Sequence, residues 1–566
     1  MEKHQSSFQI TSRDQPYHPD NITETGFPES ALQRMPKNTA SSLEQLLTGT
    51  NFLKVPPKPP QPTPSGCQIL CFGYKKEIET FTATDFKYYK RYMKYKNLDF
   101  GKSLVYLPKS TVEVINNKSN TFTTGDIITL RIILHNENGD VLTDGGDFIK
   151  IWMTEKGAGS VGYVVDHGNG TYIGVIKALW SGSPHIKLLL SFPKESIGLF
   201  VNYIYRNGML RTLKGVFKNA RGETAKGICG IHTLTKHGIC DFTSMNYGMR
   251  WFCSLPDTPG FTCSDWIAPI GDMTVSTFTE TQKHFLSSTR YKIIKEIKVD
   301  VLGDKTIVQP EYSCRLINPS VTWNTSSPVG YFYNKTWHNL ICQNKVEPNF
   351  NRYLACLRNR EIYMVGDSTV RQWLTSIAEI LNLALSVKRT SVALKGYHQP
   401  IKAFSKNKGD NITVTWAPHE FPFFTYSPNA TIHHFKPASF HLNVIRSKNP
   451  IVVLHLYIHI GYAPLSVYQE HVMNAKDAIV KFLDRVPGAK IFIKGPHNFE
   501  RDNEGVPYDF VRYLQDKMIF QIFDSIKHKV VYLNEWDITV ASENKDMHPS
   551  NDLRNPMIHE LLSYIC

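Results

Sequence analysis

The stretch Glu361-Ile362-Tyr363-Met364-Val365-Gly366-Asp367-Ser368-Thr369-Val370-Arg371-Gln372-Trp373 decides how the C-terminal part of this chain is built. Ile362 to Val365 is a short continuous apolar run, as a strand buried on both faces requires, and Val370, Trp373, Leu374, Ile377 and Leu381 then recur at helical spacing. Gly366-Asp367-Ser368 joins the two, so the expected unit is a strand, a tight turn and a helix. Working outward, Ile451–Leu456, Lys490–Ile493 and Val530–Leu533 read as further strands. Amphipathic helices are expected through Val467, His471, Val472, Ala475, Ile479 and Phe482, and through Phe510, Leu514, Met518, Ile522 and Ile526. Strands alternating with helices imply βαβ crossovers and an α/β domain with a parallel sheet.

In such a sheet, sites form beyond the carboxyl ends of the strands, where Gly366, Asp367 and Ser368 stand. The helix that follows Ser368 presents free amides, which can stabilise a developing oxyanion by about 2.7–4 kcal/mol per donor in acyl-transfer sites. A serine nucleophile needs a base. His548, in Asp546-Met547-His548-Pro549, follows the last strand and therefore reaches the same edge. Asp546 is the nearest carboxylate that could orient its ring, and Asp537 is the alternative. His459, past the second strand, could donate to the oxyanion or bind substrate; the competing reading is a packed histidine. His433-His434 has no carboxylate or Cys at ligand spacing, so no metal is expected. Phosphate-loop, dinucleotide-fingerprint and His-Glu-x-x-His motifs are missing, which disfavours nucleotide chemistry and zinc proteolysis.

The N-terminal half has another rhythm. Residues 1 to about 66 are polar and end in Val55-Pro56-Pro57-Lys58-Pro59-Pro60-Gln61-Pro62, an extended polyproline II run that reads as a stalk. Phe86 to Lys96 mixes basic and aromatic residues and reads as a short amphipathic packing segment, with nucleic-acid contact the weaker alternative. From about 105 to 205, Ile127–Leu134, Phe148–Trp152, Gly162–Val165, Thr171–Ile176 and His185–Phe192 alternate with turn signals such as Asp166-His167-Gly168-Asn169-Gly170, which argues an antiparallel β-sandwich.

With 566 residues, 41% of them hydrophobic, 12% aromatic and 20% charged, the chain can build more than one core and is not disordered, collagen-like or a coiled coil. The net charge of +14 is compatible with acidic glycans without demanding nucleic acid. Cysteines group as Cys229, Cys240, Cys253 and Cys263, then Cys314, Cys342, Cys356 and Cys566, with Cys67 and Cys71 apart. Two groups of four suggest two bridges each, worth about 3 kcal/mol per bridge in the chain-entropy picture. Sequons at Asn21, Asn117, Asn169, Asn324, Asn334, Asn411 and Asn429 fit a secretory-pathway glycoprotein. The longest apolar stretch, Ile451 to Leu465, is interrupted by His455 and His459 and falls short of the ~20 residues that span a bilayer. The first thirty residues hold no apolar signal-peptide core. The reading is a secreted or ER/Golgi-lumenal protein whose N-terminus is alternative or truncated, against a cytosolic protein with reduced thiols.

These residues resemble the NXPE family, the neurexophilin and PC-esterase domain proteins. The resemblance rests on Glu361–Trp373, Trp536-Asp537-Ile538-Thr539-Val540-Ala541, Met547-His548-Pro549 and the terminal Leu561-Leu562-Ser563-Tyr564-Ile565-Cys566. Upstream, Gly145-Gly146-Asp147-Phe148, Asp166–Tyr172 and the Cys229–Cys263 knot resemble the family's neurexophilin-like, immunoglobulin-like domain. The implied layout is a stalk over 1–94, a neurexophilin-like β-sandwich over 95–290, a connecting segment over 291–350 and an SGNH-hydrolase-like (PC-esterase) domain over 351–566. The implied chemistry is addition or removal of acetyl groups on carbohydrate hydroxyls, with some family members implicated in sialic-acid O-acetylation. Ser368 would be the acyl nucleophile, His548 the base, and Arg371 a neighbour of the site. Expected partners are a glycan or glycoprotein substrate and, for a transferase, acetyl-CoA or another acyl donor as co-substrate, with no bound cofactor. Two positions depart from the pattern: Lys545 stands where an Asp is expected three residues before the His, and Tyr457 where a small residue is expected in the segment read as Tyr457-Ile458-His459-Ile460. The alternative is a catalytically degenerate secreted protein whose sandwich engages a cell-surface partner.

Overall fold

The run Ile362–Val365 lies in the strand Glu361–Gly366 near the middle of a seven-stranded sheet. Its spatial order is Ala384–Leu385, Ile401–Phe404, Thr413–Pro418, Glu361–Gly366, Ile451–Leu454, Lys490–Lys494 and Val530–Leu533. The last five are parallel and the first two pair antiparallel at one edge. Counted in chain order, the parallel strands run 2-1-3-4-5, so the order reverses between Glu361–Gly366 and Ile451–Leu454, where open α/β sheets form their crevice. The computed structural model describes residues 81–97, 104–210, 213–232, 238–271, 278–303, 310–323, 328–387, 400–419, 436–500 and 505–566.

Alternation along each strand sends side chains to opposite faces, and both faces are covered. Ile451 and Val453 pack with the helices Phe350–Leu357, Ser368–Ile380 and Asn551–Ile565 on one side. Val452 and Leu454 pack with Ala438–Val444, Leu465–Arg485 and Tyr508–Phe523 on the other. This two-sided burial is why the strands read as unbroken apolar runs. The second strand ends at Leu454, two residues before the expected Leu456, where the chain enters the 3-10 turn Ile458–Tyr462. Thr413–Pro418 and the antiparallel pair at the edge were not expected, because their alternating polar residues hide them from a search for apolar runs.

The N-terminal half contains the expected sandwich. Thr111–Val114, Ile127–Ile133, Thr171–Lys177 and Tyr163–Asp166 form one antiparallel sheet. A six-stranded sheet, ordered Lys292–Lys298, His185–Phe192, Phe148–Glu155, Ala158–Val161, Gly330–Tyr333 and Thr336–Asn339, forms the other. Ile128, Leu130 and Ile132 face Ile149, Ile151, Met153, Ile186 and Leu188 across the shared core. A separate five-stranded sheet holds the disulfides Cys229–Cys253 and Cys240–Cys263; Cys314–Cys342 and Cys356–Cys566 complete two bridges per group of four cysteines.

Two expected boundaries are corrected. Residues 291–350 are not a connector: they supply Lys292–Lys298, Gly330–Tyr333 and Thr336–Asn339 to the six-stranded sheet. The stalk does not reach residue 94, because Ala83–Tyr89 and Lys90–Asn97 are helical and bury Tyr89, Tyr92 and Tyr95 against the helix Lys194–Asn207. The stalk proper, Cys67, Cys71, Asn21, Asn324, Asn429 and His433-His434 lie outside the described residues. Asn169, Asn334 and Asn411 are exposed in turns, whereas Asn117 is half-buried and ties its side chain to Thr121 and Ser119. No helix among the described residues is long and apolar enough to cross a membrane.

Candidate active site

Ser368 opens the helix Ser368–Ile380 directly beyond the strand Glu361–Gly366. Its Oγ lies 2.8 Å from Nε2 of His548, which stands exposed in the loop after the helix Glu535–Ala541. A hydroxyl within hydrogen-bond reach of an imidazole is the geometry of an activated nucleophile. Gly366 is small because the strand must turn sharply here: a Cβ on it would come 2.8 Å from Val370 Cγ2 and 3.0 Å from His455 Cβ. Its carbonyl accepts from Trp416 Nε1 at 3.2 Å and from the His419 amide at 3.3 Å, which locks the turn to the neighbouring strand.

Asp367 does not face the cleft. Its side chain is 1% exposed and caps the helix, accepting from the Thr369 amide at 2.8 Å and Thr369 Oγ1 at 2.7 Å. The second carboxylate oxygen lies 3.3 Å from His455 Nε2. Burial alone would raise this carboxyl, but His455, His459 and Lys494 override it and hold it well below the usual range. Asp367 is thus a buried anion that fixes the turn, not a substrate ligand. His455 Nδ1 meets the Lys494 carbonyl at 2.9 Å, and the buried Lys494 ammonium sits 5.4 Å over the Trp373 ring. Glu535, buried near Lys494, has its carboxyl pushed up to about 8 by burial. This layer of buried ionisable groups beneath the turn escaped the sequence reading, although His455 breaking an apolar run and Lys494 closing one were visible signals.

Arg371 lies one helical turn past Ser368, largely buried, with its guanidinium 5.6 Å over the Trp416 ring. His459 is half-buried and stacks on His419, with ring centroids 6.1 Å apart and planes 5° apart; His471 lies 5.8 Å beyond. It stands close enough to pull on Asp367, at the same edge as Ser368. Tyr457 turns away from this edge into the core, where its hydroxyl donates to Asp516 at 2.7 Å. Its bulk therefore does not occupy the space in front of Ser368.

The two candidate orienting carboxylates are not hydrogen-bonded to the histidine ring. Asp546 is exposed, and the bond it makes uses its carbonyl, which accepts from Asn544 Nδ2 at 2.9 Å. Asp537 is buried and accepts from the Val329 amide at 2.8 Å; burial pushes its carboxyl up to about 7. Among the described residues no group of three or more His, Cys, Asp or Glu could hold a metal.

Residues 337–566 match the family model "NXPE family member 4-like, C-terminal domain", and residues 97–264 match the neurexophilin model. Among solved structures, invasin, a bacterial integrin-binding protein, aligns at 11% identity over 56% of this chain and 60% of that chain, with a TM-score of 0.14. That likeness carries no argument about fold or activity.

Proposed function

Because this chain belongs to the NXPE family, we propose that its C-terminal domain is an SGNH-type esterase or acyltransferase acting on carbohydrate O-acetyl groups through Ser368. The observation that carries this is the 2.8 Å contact between Ser368 Oγ and His548 Nε2 at the point where the strand order reverses. In the first step His548 Nε2 takes the Ser368 proton as Oγ bonds to the acyl carbon. The amide of Ser368, at the head of its helix, faces the developing oxyanion, since the Thr369 amide is already held by Asp367. The tetrahedral intermediate collapses, the leaving oxygen or sulfur takes the proton from His548, and an O-acyl serine remains. A sugar hydroxyl or water then attacks the acyl carbon and gives its proton to His548; the Oγ–acyl bond breaks, Ser368 Oγ takes that proton back from His548, and serine and base are restored. Acetyl-CoA or another acyl donor fills the first role in a transferase; an O-acetylated glycan fills it in an esterase. The oxidised cysteines and the exposed sequons are consistent with a secreted or lumenal setting.

The test is mass spectrometry of the Ser368 peptide after incubation with p-nitrophenyl acetate and, separately, with acetyl-CoA. An acetyl mass on that peptide, lost in Ser368→Ala, supports the reading; an unmodified peptide with both donors overturns it. A second reading, a secreted binding protein, is favoured by Ile228 and Ile239, which flank Ser254 in one row of the five-stranded sheet and are 43% and 49% exposed.

A further inference from the structure

We infer that the β-sandwich positions the His548 loop, with Trp152 and Lys187 acting as positioning residues for the catalytic base; this rests on the reading of Ser368 and His548 as the reacting pair. The strand Phe148–Glu155 is buried on both faces. Ile149, Ile151 and Met153 face the sandwich core, while Trp152 on the opposite face joins Val161, Leu189 and Val540 in a small cluster against the helix Glu535–Ala541. The contact is close: a Cβ on Gly159 would come 2.1 Å from the Ala541 carbonyl oxygen.

From that face the sandwich reaches into the loop itself. Trp152 Nε1 donates to Glu543 Oε1 at 2.9 Å, and Lys187 Nζ donates to the same oxygen at 2.8 Å. Glu543 holds a left-handed backbone conformation, φ +56°, as the residue that caps the helix Glu535–Ala541, its amide and that of Asn544 closing on the Val540 and Thr539 carbonyls. Lys150 Nζ, buried on the same face, donates to Asn498 at 2.6 Å and pairs with Asp509 at 2.8 Å. Asn498 in turn exchanges side-chain-to-carbonyl bonds with Asn544 at 2.5 and 2.6 Å. The Glu500 amide holds the Lys545 carbonyl at 2.9 Å, and His497 Nε2 donates to the Met547 carbonyl at 2.8 Å. Four of the five residues before His548 are thereby gripped, two of them by groups that trace back to the sandwich. Orientation of a catalytic imidazole is worth several powers of ten in known serine hydrolases, and here the loop's anchoring supplies part of it.

Two readouts on the full chain test this: amide hydrogen exchange over residues 543–548, and the second-order rate of Ser368 labelling by a fluorophosphonate across pH 5–9. In Glu543→Ala, and in the pair Trp152→Phe with Lys187→Met, exchange in the loop should quicken and labelling should slow by about tenfold or more, while the unfolding midpoint stays close to wild type. Combining all three changes should add little further. Glu543→Gln, which keeps an acceptor oxygen for Trp152, should restore most of the rate. Wild-type exchange rates over 543–548 in Glu543→Ala overturn the inference whatever the labelling. If exchange quickens but Ser368 is never labelled, even in wild type, the anchoring stands and the reading of Ser368 as nucleophile falls.

Discussion

Ser368 Oγ and His548 Nε2 lie 2.8 Å apart although 180 residues separate them in sequence. They meet because both follow strands of one parallel sheet, so the loops that carry them leave from the same edge. A hydroxyl and an imidazole so placed make a directly testable pair.

Ser368→Ala should abolish fluorophosphonate labelling, and His548→Ala should slow it by roughly 10²-fold or more, since the base supplies the proton transfer. Neither change should move stability by more than about 1 kcal/mol, because Ser368 is half-buried and His548 exposed. Thermal unfolding alongside the labelling assay checks both halves; label retained in Ser368→Ala would place the nucleophile elsewhere.

Asp546 and Asp537 separate by substitution. Asp537 spends its carboxylate on the Val329 amide, so Asp537→Asn, which keeps the accepting oxygen, should leave the labelling rate unchanged. Asp546 is exposed and two residues from the base, so Asp546→Asn should slow labelling only if substrate or probe binding draws its carboxylate onto His548. We expect a loss under about tenfold, in contrast to the ~10⁴ seen when a fully engaged triad Asp is replaced. Rates measured for the two variants on one preparation decide.

Asp537 also predicts a pH dependence. Its carboxyl is raised from an ordinary value of 3.8 to about 7 when folded, so between these values the folded chain holds a proton that the unfolded chain has lost. Stability from this group is complete below about pH 4 and is lost as pH rises towards 7, by up to about 1.4 kcal/mol per pH unit. Asp537→Asn removes the contribution. Urea unfolding should therefore show the variant gaining on wild type between pH 5 and pH 8; a constant difference would count against a buried neutral carboxyl.

Gly366→Ala should cost about 1–3 kcal/mol, because its Cβ would press on Val370 and on His455 in a packed turn. The displaced turn carries Ser368, so labelling should fall with stability. A variant as stable and as reactive as wild type would show that the turn can yield.

The disulfide Cys356–Cys566 ties the chain's last residue to the helix Phe350–Leu357 before the nucleophile strand, across a separation of 210 residues. Replacing both cysteines by serine should lower stability by about 3–5 kcal/mol. The helix Asn551–Ile565, which packs on the Ser368 helix, should be the first to open, as hydrogen exchange would report.

Strands buried on both faces and helices with one apolar stripe left period signals strong enough to read: Ile362–Val365, Ile451–Leu454, Lys490–Ile493 and Val530–Leu533 are strands, Val467–Phe482 lies in a helix, and Phe510, Leu514, Met518 and Ile522 lie in another that ends at Phe523, so that Ile526 falls in the 3-10 turn that follows. The strand-turn-helix at Gly366-Asp367-Ser368 and the late His548 were legible for the same reason, since which edge a loop leaves from follows from strand direction alone. Thr413–Pro418 was not legible, because a strand whose polar residues pair sideways looks like a loop. The direction of the Asp367 side chain also escaped: a carboxylate beside a serine reads as a site residue until His455 and Thr369 are seen to claim it.

Composition, periodicity and the order of strands and loops are local, and they were enough for the two halves of the molecule, the grouping of its cysteines and the edge on which Ser368 and His548 meet. How the halves join was decided by tertiary packing. Lys150 and Trp152 look like the solvent side of a sandwich strand, and become buried anchors only because the α/β domain brings Asp509, Asn498 and Glu543 against them. That information resides in contacts between residues about 350 positions or more apart, where no periodicity reaches, and it is these contacts that set how firmly the histidine loop is held.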